Sequence, residues 1–231
     1  MYFVQSLRKA VRAKQAKATP GIILWGGTGH SRVLRELLGH LGIPVAAVVD
    51  NREIEPPFDG VEVLRGMEGL TSWLAQRPGG AGSLKYAVAI GGGRGRDRLA
   101  IAKDLDALGL NQASLVHPTA TVESDVVLGT GSQILIGAVV AKFARIGTCS
   151  IINSRAVVDD SCTIGDGTHI GPGVTLCAQV EIGNGVFVGA GATVLPGTKI
   201  SDDATIGAGV VVTTDVPAGS TVIGVPRTPP L

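Results

Sequence analysis

The sequence predicts two units in series: an α/β unit with a parallel, Rossmann-like sheet, then an all-β parallel β-helix built from six-residue repeats. Three observations carry this. An aliphatic residue recurs at every sixth position from Val116 to Val212. Between residues 21 and 113 a strand, a Gly-rich loop and a helical pattern follow one another, and then do so again. Glycine reaches 34 residues while aromatics make up only 3%, so the core must be aliphatic and many backbone positions must need a missing side chain.

Residues 1–20 carry five basic residues and no acid, and lack the long apolar core of a signal peptide. They read as a solvated basic leader or helix, with contact with a membrane surface as the alternative. The α/β unit spans 21–113. GIILW is a short apolar strand, GGTGH follows, and then a helical pattern runs through Val33, Leu34, Leu37 and Leu38. VAAVVD is a second strand ending at Asp50. YAVAI at 86–90 then opens into GGGRGRD and a helix over LAIAKDLDAL. Strand–loop–helix repetition of this kind specifies a parallel sheet. Gly26, Gly27, Thr28 and Gly29 sit where backbone N–H groups at a helix N-terminus can hold a phosphate, or form a structural tight turn. Asp50 lies at the distance where a ribose hydroxyl is often bound. Arg32 occupies the third glycine position of the dinucleotide fingerprint, and the unit is about half the size of a dinucleotide domain. A single nucleotide, with a sugar attached, fits better than NAD.

The repeat region spans 114–214, with a tail at 215–231. All seventeen positions from Val116 to Val212 in steps of six are Val, Ile or Leu. Two residues before each stands a small or β-branched residue, from Ser114 to Val210. Residues two apart on a strand share a face, so each hexad is one short strand with a large and a small side chain facing inward. Glycine follows the aliphatic at 129, 147, 165, 171, 183, 189 and 207, and is expected to supply the turn. A helix would repeat at 3.6 residues, which a strict six does not fit. Three hexads close one triangular coil, and stacked coils create the core that one coil cannot.

Charge and cysteine content narrow the function. The formal net charge of +1 gives no field that favours nucleic acid or membrane. The longest uncharged run, 126–141, is interrupted by Gly, Ser and Gln and is shorter than a span requires. Three cysteines without a CxxC pair argue for free thiols in a reducing cytoplasm. Only His117 and His169 lie within the coils, so a zinc site built from several coil histidines is not expected, and no metal is assigned.

Taken in order, GGTGH at 26–30, Asp50, HPTA at 117–120, IIN at 151–153, Cys162 and IGVP at 223–226 resemble the sialic acid O-acetyltransferase and nucleotide-4-aminosugar N-acetyltransferase family of hexapeptide-repeat acyltransferases. The resemblance implies left-handed coils and a homotrimer with active sites between neighbouring β-helices. It implies acetyl-CoA as co-substrate, lying near Ala178, Ala190 and Ala208. It implies a nucleotide sugar at Gly26, Gly27, Thr28, Gly29, His30, Asp50, Asn51, Arg52 and Asn153, in surface polysaccharide or glycan biosynthesis. A sugar-acid O-acetyltransferase and a catalytically silent nucleotide-sugar-binding trimer are the alternatives.

The catalytic coil departs from the family pattern, which reads Glu-His-Asp/Glu-Cys. Here the residues are Asp159, Asp160, Ser161 and Cys162. Three readings stand open: Asp160 is the base, with Asp159 beside it; His169, nine residues on, is the active imidazole; or acetyl transfer is lost. An ordinary Asp titrates near 3.9, poorly matched to neutral pH.

Overall fold

The computed structural model describes residues 21–77 and 80–224; the basic leader and the end of the tail lie outside the described residues. Strands β1 (Ile22–Trp25), β2 (Val45–Asp50), β3 (Val63–Arg65), β4 (Lys85–Val88) and β5 (Asn111–Gln112) form one sheet in the order β3-β2-β1-β4-β5, all parallel. Helices α1 (Gly29–His40), α2 (Gly66–Ala75) and α3 (Gly95–Ala107) cover it. The alternation along β1 divides the core. Ile22 and Leu24 pack with Leu34, Leu37 and Leu38 of α1, whereas Ile23 and Trp25 pack with Leu70 and Trp73 of α2 and Leu105 of α3. Val33 is 43% exposed and is not part of the buried stripe of α1. Helix α3 starts inside the expected loop, at Gly95, while β3 and α2 occupy a stretch to which the sequence pattern assigned no element. From β1 the chain steps outward through β2 and β3, then crosses back to β4 on the other side of β1. The carboxyl ends of β1 and β4 therefore diverge, leaving the crevice where open parallel sheets bind ligands.

From β6 (Leu115–Val116) to β23 (Thr221–Val222) the chain is a left-handed parallel β-helix of two-residue strands in three sheets. Each strand pairs with the strand one coil on, as in Ile151↔His169 and Val158↔Leu176. Eighteen residues therefore make one coil, except the last, where Thr205 pairs with Thr221 after sixteen. The inward pairs of large and small residues form one continuous apolar column, with Ile134, Ala138, Val140, Ala156, Val158, Cys162, Val188 and Ala192 all fully buried. Burying one such Val or Ile contributes about 1.5–3 kcal/mol, so the stacked coils stabilise one another.

The glycines divide into two groups, and this corrects the expected turn residue. Gly129, Gly147, Gly165 and Gly183, directly after the aliphatic, do not carry a positive φ. A Cβ on Gly165 would lie 2.5 Å from the carbonyl carbon of Gly183, one coil away, so these glycines allow the coils to approach. The turn itself is made two residues later. Every sixth residue from 131 to 209 is left-handed, with φ between 55° and 72°. Glycine fills eight of these positions; Phe143, Cys149, Arg155, Ser161, Gln179 and Asp203 fill the rest.

One face of the prism is covered by the N-terminal unit. Its outward-pointing Leu115, Gln133, Ile151 and His169 are all buried, and Leu115, Leu135 and Ile151 join the core of β1 and α1. The equivalent residues of another face, Val127, Arg145, Thr163, Glu181 and Lys199, are exposed. This docking brings the crevice of the parallel sheet against the coils.

Candidate active site

The turn between β1 and α1 is built by two glycines that admit no side chain. Gly26 has φ +110°, and a Cβ there would sit 2.6 Å from the Ala89 carbonyl oxygen. At Gly27 a Cβ would meet the Ile54 side chain at 2.0 Å. Thr28 and Gly29 are exposed; space is open around Gly29, so nothing in the fold itself demands glycine there. Asp50, 6% exposed at the end of β2, closes this turn. Its Oδ2 accepts from the Gly27 N–H at 2.9 Å and its Oδ1 from the Arg52 N–H at 3.0 Å. The Arg52 guanidinium adds two more bonds, at 3.0 and 3.1 Å. Burial alone would raise the carboxyl, but these donors outweigh it and hold the pKa at about 2. Asp50 is therefore already engaged within its own loop, and Asn51 and Arg52 are exposed beside it.

His30, in the first turn of α1, reaches the prism: its Nε2 lies 2.8 Å from Gln133 Oε1. Gln133 Nε2 donates to the Val88 carbonyl at 2.8 Å, which leaves Oε1 as the acceptor. His30 Nε2 therefore carries the hydrogen. Burial, and secondarily Arg98, push the His30 pKa below its usual value, against the bond to Gln133. His169 lies on the next strand but one of the same face, 5% exposed. Its Nε2 is 3.0 Å from Asn153 Nδ2, an amide donor, and its Nδ1 is 3.3 Å from the Gly92 carbonyl. Asn153 Oδ1 accepts from the Ser154 N–H at 2.7 Å, which fixes the amide orientation. His169 is thus neutral with both nitrogens occupied, its ring edge-on to Phe187 at 5.5 Å. Burial, reinforced by Arg98, pushes its pKa down to about 4. Gly91 lies between the two imidazoles. A Cβ there would sit 3.7 Å from His30 Nδ1 and 3.8 Å from His169 Cε1.

Asp159 and Asp160 lie elsewhere, at the corner between β13 (Val157–Val158) and β14 (Thr163–Ile164). Asp159 Oδ1 accepts from the Asp160 N–H at 2.9 Å, and both side chains are half-buried. Ala178 sits one coil above Asp160 at this same corner, where the Gln179 N–H donates to the Asp160 carbonyl. Ala190 and Ala208 occupy a different corner, stacked one coil apart, with the Gly209 N–H bonded to the Ala190 carbonyl at 2.9 Å. Asn153 begins that second corner, following β12 (Ile151–Ile152). Within one protomer, then, His30, Asn153 and His169 come together, and Asp160 does not join them.

Three features went unread in the sequence. Gln133 carries no motif; only its place on the covered face distinguishes it. The Gly91–Gly93 loop reads as a turn but forms the lip of the crevice. Arg98 is fully buried and, among the described residues, hydrogen-bonded to no carboxylate. Its guanidinium donates to the carbonyls of Ile90, Gly92, Cys149, Gly167 and Thr168 at 2.6–3.3 Å, tying α3 and the Gly91–Gly93 loop to two coils. Burial lowers its pKa to about 10, so it stays charged at neutral pH. Gly95 approaches the same coil so closely that a Cβ would meet the Gly167 carbonyl oxygen at 1.9 Å. Among the described residues no group of three or more His, Cys, Asp or Glu is placed to hold a metal ion.

The family described as bacterial transferase hexapeptide (six repeats) matches residues 161–196 and 179–214. No curated protein sequence matches the chain. Among solved structures, it is similar to a histidine mutant of perosamine N-acetyltransferase from Caulobacter crescentus in complex with CoA and GDP-perosamine. Identity is 35% and the TM-score 0.82, over 90% of this chain and 96% of that one. It is also similar to the acetyltransferase domain of PglB from Neisseria gonorrhoeae FA1090 in complex with acetyl coenzyme A, at 30% identity and TM-score 0.80, over 92% and 100%. WeeI from Acinetobacter baumannii AYE, 23% identical with a TM-score of 0.72 over 90% and 98%, shares the fold.

Proposed function

The chain belongs to the hexapeptide-repeat nucleotide-aminosugar N-acetyltransferases, and from that premise we propose that it transfers the acetyl group of acetyl-CoA to the amine of a nucleotide-linked sugar destined for surface glycan. The enzyme is an acetyl-CoA-dependent acyltransferase. The observation that carries the reading is the pair of imidazoles, His30 and His169, on either side of Gly91, with Asn153 bonded to His169. A nucleotide held against the Gly26–Gly29 turn, at the crevice of the parallel sheet, presents its sugar to these three side chains.

The chemistry asks for an uncharged acceptor, a nearby proton acceptor and N–H donors for the oxyanion. Neutral imidazoles and a fixed amide suit that environment better than fixed charges. Acetyl-CoA is proposed to lie along the corner of Ala190 and Ala208, where exposed small residues leave the backbone open to the pantetheine. In a homotrimer this corner meets the corner of a neighbouring copy that carries Asp160 and Ala178. That arrangement accounts for the separation of the expected residues within one protomer.

A thiol-release assay with acetyl-CoA and a panel of GDP- and UDP-linked aminosugars tests the reading, with light scattering to fix the assembly. Release that depends on an aminosugar nucleotide supports it. Release only with sugar acids favours O-acetylation, and nucleotide-sugar binding without release from CoA sinks the proposed activity.

A further inference from the structure

Two imidazoles flank Gly91, and they are not equivalent. His169 has both ring nitrogens engaged, by Asn153 and by the Gly92 carbonyl. His30 has one engaged. Because Gln133 Nε2 is committed to Val88, Gln133 Oε1 can only accept, so the His30 hydrogen sits on Nε2 and Nδ1 keeps its lone pair. Among the described residues no group is bonded to Nδ1. It is not sealed away either, since the buried side-chain nitrogens and oxygens that lack a partner there reduce to Ser132 Oγ. His30 also stands in the first turn of α1, where the helix dipole favours the neutral ring.

We infer that His30 Nδ1 is the proton acceptor of the acyl transfer in this chain, with Gln133 as the residue that sets its tautomer. The inference rests on the acetyl-transfer reading above. The acceptor nitrogen attacks the thioester carbonyl carbon and a C–N bond forms. The proton leaves that nitrogen for His30 Nδ1. The tetrahedral intermediate then collapses with cleavage of the C–S bond, and the CoA thiolate takes the proton from His30, leaving an amide and CoA thiol. While protonated, the imidazolium donates through Nε2 to Gln133 Oε1 as a charge-assisted bond, so the same contact that selects the tautomer also stabilises the charged form. An imidazole backed by a neutral amide does the work commonly given to one backed by a carboxylate. Asp160, at another corner of the prism, is not required for this step.

The test uses the full chain and its His30→Ala variant. General-base catalysis contributes about 10²- to 10⁴-fold, so kcat should fall by that factor while KM for the aminosugar nucleotide changes less than about threefold. Added imidazole should restore part of the lost rate, which a packing or binding role would not allow. Independently, ¹⁵N NMR of the wild-type imidazoles should show His30 protonated at Nε2 and bare at Nδ1. An active wild type whose His30→Ala variant keeps its kcat overturns the inference alone, as does the opposite tautomer. A wild type that transfers no acetyl group to any aminosugar nucleotide overturns the functional reading and this step with it.

Discussion

Arg98 Nη2 donates to the Gly167 carbonyl at 2.6 Å, so a guanidinium from α3 ends on a turn of the prism 69 residues further along the chain. Among the described residues no carboxylate is hydrogen-bonded to it; the guanidinium donates to carbonyl oxygens. Arg98→Met would remove the guanidinium from all five carbonyls; those of Gly92 and Thr168 keep His169 Nδ1 and the Ile151 N–H, and each buried acceptor left without a donor costs about 1–3 kcal/mol. The variant should lose on the order of 3 kcal/mol or more in urea unfolding. An unchanged midpoint would mean that water or another donor replaces the guanidinium at no cost.

Gly26 and Gly29, in the turn after β1, make different demands. Gly26→Val places a branched side chain against the Ala89 carbonyl at a left-handed φ and should fail to fold, as judged by circular dichroism. Gly29→Val meets open space, so the fold should persist while nucleotide-sugar binding measured by calorimetry is lost. If Gly29→Val binds as wild type does, the nucleotide lies elsewhere.

Two kinds of glycine also make opposite demands in the coils. Gly191 has φ +68°, and no atom lies within 4 Å of where a Cβ would stand, so Gly191→Ala carries only the left-handed penalty of about 1 kcal/mol. Gly165 has ordinary backbone but no room, so Gly165→Ala must push two coils apart and should cost about 2 kcal/mol or more. Thermal unfolding of the pair should rank them in that order; the reverse ranking would reassign which glycine spaces the coils.

His169 ties stability to pH. Its folded pKa of about 4 lies below the unfolded value, so the neutral ring favours the folded state. Stability is complete above about pH 6.5 and is lost as pH falls toward 4, by an amount on the order of 3 kcal/mol. His30 and His117, also lowered by burial, act in the same direction. His169→Gln cannot titrate, so its denaturation midpoint should fall less than that of wild type between about pH 7 and pH 4.5. Equal falls in both proteins would show that other groups govern acid unfolding.

Ala190 is exposed at its corner, so a large side chain there disturbs the groove rather than the core. Ala190→Trp should abolish acetyl-CoA binding and leave nucleotide-sugar binding intact, each measured by calorimetry. Retained CoA affinity would move the donor to a different corner.

The apolar column was legible because one inward position recurs without interruption. Val158 and Ile164 announce themselves by spacing alone, whatever the N-terminal unit does. Gln133 and His169 were harder. Their burial depends on which third of each coil faces the other unit, and a period of six does not distinguish the thirds. Sorting outward residues by a period of eighteen does so: Leu115, Gln133, Ile151, His169 and Phe187 fall on one face, Arg145, Glu181 and Lys199 on another. Arg98 was illegible because its partners are backbone carbonyls, which every sequence contains. Strand β3 was missed because Val63–Arg65 is three residues long and shows no sustained alternation. The turn glycines were misplaced because two glycines two residues apart both look like punctuation, and only φ tells which one bends the chain.

The docking face has a consequence for how the molecule assembles. Within the prism a strand finds its hydrogen-bonded neighbour sixteen or eighteen residues away, as soon as one further coil exists. Contacts between the two units bridge far longer stretches: His30 to Gln133 spans 103 residues, and Arg96 to Asp203 spans 107. Contacts close in sequence form early and distant ones wait on chain closure. The coils can therefore zip along their own axis, whereas bringing α1 and α3 onto the finished face is a separate and slower event. Because His30 comes beside His169 only across that face, the proposed catalytic pocket comes into being at this last stage of folding, and a chain halted before it would hold a complete prism without that pocket.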